Sequence, residues 1–182
     1  MKIRSLKLVC FSPTGATKAI VQRIACGIDH NAVELMDIAK PSARIQPITA
    51  SENDLFVVAA PSYMGKEPAL LRECLHVIQA FDTPAVCVVV YGNRVCENTL
   101  RELKRILTDR GCMPIAGAAL IGEHSFFIAD APTGEGRPDD NDLDYAELFG
   151  RKINEKIRSV PSIEHILADS IPGGGAPGIQ MI

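Results

Sequence analysis

Tryptophan is absent from the 182 residues, and aromatic side chains amount to only 5% of them. Any flat ring surface must come from three tyrosines and six phenylalanines. An excess of either charge is also missing. Lysine and arginine number 19 against 22 acidic residues, for a formal net charge of -3. That balance lacks the strong basic field of a nucleic-acid surface. No apolar run approaches the ~20 residues that cross a bilayer. The start of the chain is basic, with Lys2, Arg4 and Lys7, but the apolar stretch behind it is short and has no small-residue cleavage site. A secretory leader is therefore not expected. None of the six cysteines, Cys10, Cys26, Cys74, Cys87, Cys96 and Cys112, forms a Cys-x-x-Cys pair, and no histidine clusters with them. Zinc and iron–sulfur spacings are missing, and no metal is expected. Most of these cysteines sit in apolar runs, where a reduced thiol packs as a small hydrophobe, the pattern of a cytoplasmic protein. No cysteine is expected to take part in redox chemistry.

What remains is an ordinary globular composition, 47% hydrophobic and 23% charged, long enough for one domain with a full core. Apolar runs alternate with segments of helical period. Residues 6–11 read as a first strand. A helix follows from Thr14 or Gly15 to Ile28, with Ile20, Val21, Ile24 and Ala25 on one face and Gly27 and Asp29 marking its end. Residues 33–36 make a short second strand, and the polar, proline-punctuated stretch 41–53 gives little reason for a helix. Residues 55–60 and 85–90 are near-continuous apolar runs, as strands buried on both faces require. Between them Pro68 opens a helix with Leu71, Cys74, Leu75 and Ile78 inward. After them a helix carries Leu100, Leu103, Ile106 and Leu107 and stops at Gly111. Residues 115–121 form a fifth strand. Asn141 is placed to cap a last helix that ends near Ile157. Residues 161–182, with a Pro172–Gly178 run rich in glycine, read as a tail behind a domain of residues 1–160.

This alternation predicts an α/β sandwich of three layers around a five-stranded parallel sheet, with strand order 2-1-3-4-5. Ligands of such sheets bind at the carboxyl ends of the strands, near the switch point. Those ends lie after Phe11, Ala60, Val90 and Ile121.

The first of these loops is Ser12-Pro13-Thr14-Gly15-Ala16-Thr17. It places three hydroxyls and a glycine between a strand and a helix start, where unpaired N–H groups and a positive dipole end suit a phosphate. No lysine or arginine lies within it, and Lys18 follows. Hydroxyls and amides alone suit the phosphate of a cofactor that is held rather than transferred. The alternative is an ordinary capping turn. Rival patterns are absent: there is no Gly-x-Gly-x-x-Gly, no Gly-x-x-x-x-Gly-Lys-Ser/Thr and no Gly-x-Ser-x-Gly.

Phe11 to Thr17 resembles the flavodoxin signature, an aromatic followed by Ser/Thr-x-Thr-Gly-x-Thr. The likeness continues at Pro61-Ser62-Tyr63-Met64-Gly65-Lys66-Glu67-Pro68, at Tyr91-Gly92-Asn93-Arg94 and at Ile121-Gly122-Glu123-His124. Together these segments resemble the flavodoxin-domain family whose longer members continue into a two-cluster, ferredoxin-type segment. That segment is not found here. The resemblance implies a flavodoxin-like fold, a bound flavin mononucleotide (FMN) and electron transfer. It implies a ring flanked by Pro61, Ser62, Tyr63, Met64 and Gly65 on one side and by Tyr91, Gly92, Asn93 and Arg94 on the other. Either a tyrosine, Tyr63 or Tyr91, replaces the tryptophan that covers a flavin face in many short flavodoxins, or one face is bare. A backbone carbonyl near Met64–Gly65 would accept a hydrogen bond from the protonated flavin N5. His124 either lines this pocket, meets a reductant or is an unremarkable loop histidine. Arg94 and Lys66 either offset the charge of reduced flavin or stay solvated. Glu123, Asp139, Asp140 and Asp142 read as surface charge and helix-start chemistry, and no side chain is expected to act as a catalytic acid, base or nucleophile. A separate ferredoxin-type iron–sulfur protein is the expected redox partner, with no role for nucleic acid or membrane. Two other readings remain: an NAD(P)H-dependent FMN or quinone reductase, and a flavin-free interaction module on the same fold.

Overall fold

The computed structural model describes residues 2–44, 47–92, 96, 98–123 and 134–159, together with the backbone of 178–181. Its main sheet contains β1 (Ser5–Cys10), β2 (Val33–Asp37), β4 (Asp54–Pro61), β6 (Thr83–Tyr91), β7 (Cys112–Ile121) and β8 (Gly178–Met181). A minor sheet pairs β3 (Thr49–Ala50) with β5 (Gln79–Ala80). The helices are α1 (Ala16–Ile28), α2 (Ala69–His76), α3 (Thr99–Thr108) and α4 (Asp140–Ser159).

The main sheet runs β2-β1-β4-β6-β7-β8. Its first five strands are parallel and follow the expected order. The sixth corrects the expectation of five. β8 pairs antiparallel with β7, with Ala116 opposite Met181 and Ala119 opposite Gly178. These four residues lie in the stretch read as tail. A bare edge on β7 exposes unpaired N–H and C=O groups, and a short strand satisfies them whatever its hydrophobic pattern.

Strand side chains alternate between two cores, as the pleat requires. Leu6, Leu8 and Cys10, then Leu55, Val57 and Ala59, and Val86, Val88 and Val90 face α1 and α4. Val9, Phe56, Val58, Ala60, Cys87, Val89 and Tyr91 face α2 and α3. The three layers follow directly.

Local chemistry sets the helix ends. Asp29, at φ 54°, closes α1, and its N–H bonds back to Ala25 and Cys26 carbonyls. Gly27 does not end this helix but lies within it. A Cβ there would stand 2.0 Å from the Glu147 carbonyl oxygen, and one at Gly150 would stand 2.1 Å from that of Ile24. Two glycines thus let α1 and α4 touch backbone to backbone. The cap of α4 is Asp139, not Asn141. Its carboxylate accepts the Asp142 N–H at 3.0 Å, while Asp142 accepts the Asp139 N–H at 3.0 Å. This is the reciprocal pattern of a capping box. Helix α2 stops at His76, so Ile78 packs in the core from beyond its end. The stretch expected to lack a helix has only a 3-10 turn, Pro41–Arg44.

Candidate functional site

The carboxyl ends of β1, β4, β6 and β7 converge where the strand order reverses. The loop after β1 is held from three directions. The Ser12 N–H donates to Asp37 Oδ1 (3.3 Å) at the end of β2, and that oxygen also accepts the Ala39 N–H (3.1 Å). The Ser12 hydroxyl oxygen accepts the Lys18 N–H (2.9 Å) in the first turn of α1. Phe11 donates its N–H to the Ala59 carbonyl of β4. Ser12 and Thr17 are therefore buried, while Pro13, Thr14 and Gly15 stand exposed.

Gly15 occupies the N-cap position at φ 97°, a conformation that costs other residues about 1–2 kcal/mol. A Cβ there would meet nothing within 4 Å, so the space over this backbone is open. No side chain caps Gly15, and no acid lies in the first turn of α1. Beyond the Lys18 N–H, which the Ser12 hydroxyl takes, no side chain among the described residues caps the leading N–H groups of the helix, and no acid offsets the positive dipole end within that turn. Ser12 uses its lone pair on Lys18 and keeps its proton to donate.

The loop after β4 is of another kind. Tyr63 and Lys66 exchange N–H···O bonds of 2.7 and 3.1 Å around Met64 (φ 52°) and Gly65 (φ 77°). Positive φ at both centres marks a type I′ turn. Its tip projects, with Met64 93% and Tyr63 36% exposed, while Pro61 is buried and Gly65 half-buried. The base is tied down. The Ser62 N–H donates to the Val90 carbonyl (2.8 Å), and the Ser62 hydroxyl pairs with that of Thr99 (2.8 Å), a fully buried residue opening α3. The Glu67 side chain is wholly buried and paired with Arg72, yet its Oε2 has no partner among the described residues.

At the end of β6, Tyr91 is only 4% exposed and packs into the core on the α2/α3 side. Its hydroxyl is buried and has no hydrogen-bond partner among the described residues. Burial pushes this phenol above its usual range; Cys96 and Asp142 add to the shift and Arg137 opposes it. Of the two tyrosines expected at the ring, only Tyr63 shows an exposed side chain. Gly92 is half-buried next to Tyr91. Gly122 ties the edge together. A Cβ on it would lie 2.6 Å from Val90 Cγ1 and 3.6 Å from the Ala16 Cβ, so β6, β7 and the start of α1 meet there. Beside it the Glu123 N–H donates to the Arg137 carbonyl (2.9 Å), and the Arg137 guanidinium grips Asp142 through two hydrogen bonds. Burial raises the Asp142 carboxyl, but the bonds from Arg137 and Asp139 outweigh it and hold the group below the usual range.

The structure brings Ser12 to Thr17, Pro61 to Gly65, Tyr91 and Gly92 to one edge of the sheet. Asn93, Arg94 and His124 lie outside the described residues. Sequence reasoning missed Asp37, Thr99, Gly122 and Arg137 as supports. Asp37 carried a signal, an acid ending a strand beside the switch point. Thr99 and Arg137 carried none, since only tertiary contacts give them their role.

No family model and no functionally curated protein matches the chain. Solved structures do. The chain is similar to a Fusobacterium nucleatum flavodoxin bound to flavin mononucleotide, at 16% identity and TM-score 0.56, over 86% of this chain and 98% of that one. It is similar to a flavodoxin, WrbA-like protein of Agrobacterium tumefaciens, at 14% and 0.52, over 86% and 99%. It also matches a Synechocystis flavodiiron core, at 16% and 0.60, over 87% of this chain but 37% of that longer one. Identities this low speak to architecture alone, and by that measure the chain has the flavodoxin-like α/β fold.

Proposed function

We propose that the chain binds FMN at this carboxyl edge and serves as an electron-transfer protein. The observation that carries the reading is the start of α1. There the space over Gly15 is open, Ser12 caps only the Lys18 N–H of the first turn, and three hydroxyls surround the loop. A Fusobacterium flavodoxin of the same fold is bound to flavin mononucleotide. When bound, FMN supplies one- and two-electron chemistry that no amino-acid side chain offers.

The residues divide the work. Thr14, Thr17 and the Ser12 hydroxyl donate to the phosphate together with the amides of residues 14–17. Asp37 holds the Ser12 end of the loop in place. Tyr63 offers a ring face, and Met64–Gly65 a backbone carbonyl toward the ring edge. Asn93, Arg94 and His124 belong to the same proposal through their place in sequence. The projecting turn gives a partner access to the ring. A ferredoxin-type iron–sulfur protein is the proposed partner, meeting the site through a contact below about 1,200 Å². Free cysteines throughout suit a reducing cytoplasm. Among the described residues no helix is long and apolar enough to cross a membrane.

The reductase reading uses the same site. The exposed Met64 turn favours it to the extent that it leaves a ring face open to a nicotinamide. One experiment separates the two. The FMN-loaded protein is mixed in stopped flow with reduced ferredoxin and, separately, with NADPH. Fast reduction by ferredoxin alone is expected. Fast reduction by NADPH alone would assign the reductase, and a protein that stays colourless with excess FMN would remove both.

A further inference from the structure

The two edges of the main sheet differ. The β7 edge is covered by β8, whereas β2 is bonded to β1 alone. The ends of β2 fix the direction of its backbone groups. The Ala32 carbonyl accepts the Leu6 N–H (2.8 Å), and the Ile38 N–H donates to the Cys10 carbonyl (2.7 Å). Even-numbered residues therefore face β1, and Val33, Leu35 and Asp37 turn their N–H and C=O groups outward. Among the described residues none of these three N–H groups has a partner, and of the carbonyls only that of Asp37 has one, the Lys40 N–H (3.0 Å). Few devices blunt this edge. Its five residues include no proline or lysine, and their register with β1 runs without a bulge. Val33 is 47% exposed, and Glu34 is the strand's one exposed charge. Val33 and Leu35 border a groove of about 340 Å³ that Leu8, Ala25 and Cys26 help to line.

We infer that β2 pairs antiparallel with β2 of a second copy of this chain, about a two-fold axis through Leu35. A second copy is selected because the strand complements itself. Rotation about Leu35 sets that residue against its own counterpart, and Val33 against the Asp37 of the other copy. This is the one register that pairs all three outward residues of both strands, and each such pair exchanges N–H···O bonds. Residues directly opposite share a face of the sheet, so Glu34 meets Met36 and Asp37 meets Val33. Centring the axis on Glu34 or on Asp37 would set like charges opposite, which destabilises a sheet. Val33 and Leu35 of both copies lie on the α1 face, where they bridge the two grooves with apolar surface. The paired strands run in opposite directions, so the carboxyl edges of the two copies point away from each other. Both candidate sites stay open, and the pairing does not depend on the FMN reading.

The test uses the full chain. Sedimentation equilibrium is measured from low to high micromolar concentration, with amide hydrogen exchange at the same concentrations. A monomer–dimer equilibrium is expected. The Leu35 and Asp37 N–H groups should gain protection as the dimer forms, while those of Glu34 and Met36, which face β1, are protected throughout. Two substitutions at the exposed Val33 check the register, with an unchanged circular dichroism spectrum as the control for folding. Val33→Glu sets an acid against Asp37 twice in each dimer and should weaken dimerisation by about tenfold. Val33→Lys sets a cation there and should dimerise about tenfold better than Val33→Glu, or more. Equal weakening by both would overturn the pairing about Leu35. A dimer in which Leu35 and Asp37 gain no protection would place the contact elsewhere and overturn it too. A monomer at every concentration would leave the edge bare, or open to a strand of another protein, and would equally overturn the inference.

Discussion

On one face of the sheet α1 and α4 are long, 13 and 20 residues, and meet through Gly27 and Gly150 with backbones in contact. On the other face α2 and α3 have 8 and 10 residues, and a 3-10 turn takes the place of a further helix. Each face governs one loop of the site. The Ser12–Thr17 loop feeds α1 and is bonded to β2, β4 and its own helix. The Tyr63–Lys66 turn leads to α2, bonds mainly to itself at its tip and projects Met64 outward. The close-packed face thus carries the loop suited to anchoring a phosphate. The looser face carries the turn suited to meeting a ring and a partner.

Alkaline pH tests how the two cores differ. Burial pushes the Cys10, Cys87 and Cys112 thiols up to about 12, with Asp37 adding to the shift at Cys10 and Cys112 at Cys87. A raised folded pKa means that the unfolded chain loses its proton first. Stability from these thiols is therefore complete below the unfolded value of 9.0 and drains away between there and about 12. Each contributes a slope of about 1.4 kcal/mol per pH unit in that window. Cys10 faces α1 and α4, whereas Cys87 and Cys112 face α2 and α3. Replacing the latter two with Ala should remove most of the alkaline slope in urea titrations at pH 8, 9 and 10, and Cys10→Ala about half as much. Equal slopes in all variants would refute the burial argument.

Gly150→Val is the next largest effect. Its Cβ would collide with the Ile24 carbonyl, a backbone atom that cannot turn aside. A loss of about 3 kcal/mol is expected, at the upper end for overpacking. An unchanged melting temperature would show that α1 and α4 are not held at this distance.

On the proposed FMN reading, Thr14→Ala and Thr17→Ala each remove a donor to a charged acceptor. Each should weaken FMN binding by about tenfold or more, the equivalent of ~1.5–3 kcal/mol, and leave the weaker binding of riboflavin nearly unchanged. Equal losses for both ligands would mean that the loop does not hold the phosphate.

Gly65→Ala gives the smallest change. At φ 77° an added Cβ costs about 1 kcal/mol, confined to a projecting turn. FMN and riboflavin should be affected to the same small degree. A preferential loss of FMN would blur the division between anchoring loop and presenting turn.

Much of this was legible in the residues themselves. The hydrophobic periods located the five parallel strands of the main sheet and the four α-helices among the described residues, though not the short β3 and β5, because burial on both faces leaves an unbroken apolar run and burial on one face leaves a 3.6-residue beat. Gly15 and Asp29 were legible as helix boundaries because backbone geometry at those points depends on the residue itself. Asn141 was misjudged as a cap because Asp139 is equally suited, and only the reciprocal bonds with Asp142 decide between them. Gly27 was misjudged because a glycine that ends a helix and one that admits a second helix look the same in a sequence.

The sequence by itself determined the parallel α/β sandwich and its strand order, and it put a hydroxyl-rich loop between the first strand and the first helix, since each follows from local pattern and connection rules. Tertiary structure alone decided that β8 closes the edge of β7, because the need for it arises from unpaired groups on another strand. It decided that Tyr91 is buried and Tyr63 exposed, because two similar tyrosines differ only in what packs around them. It also decided that Arg137 and Thr99 support the site, since those contacts join residues far apart in the chain.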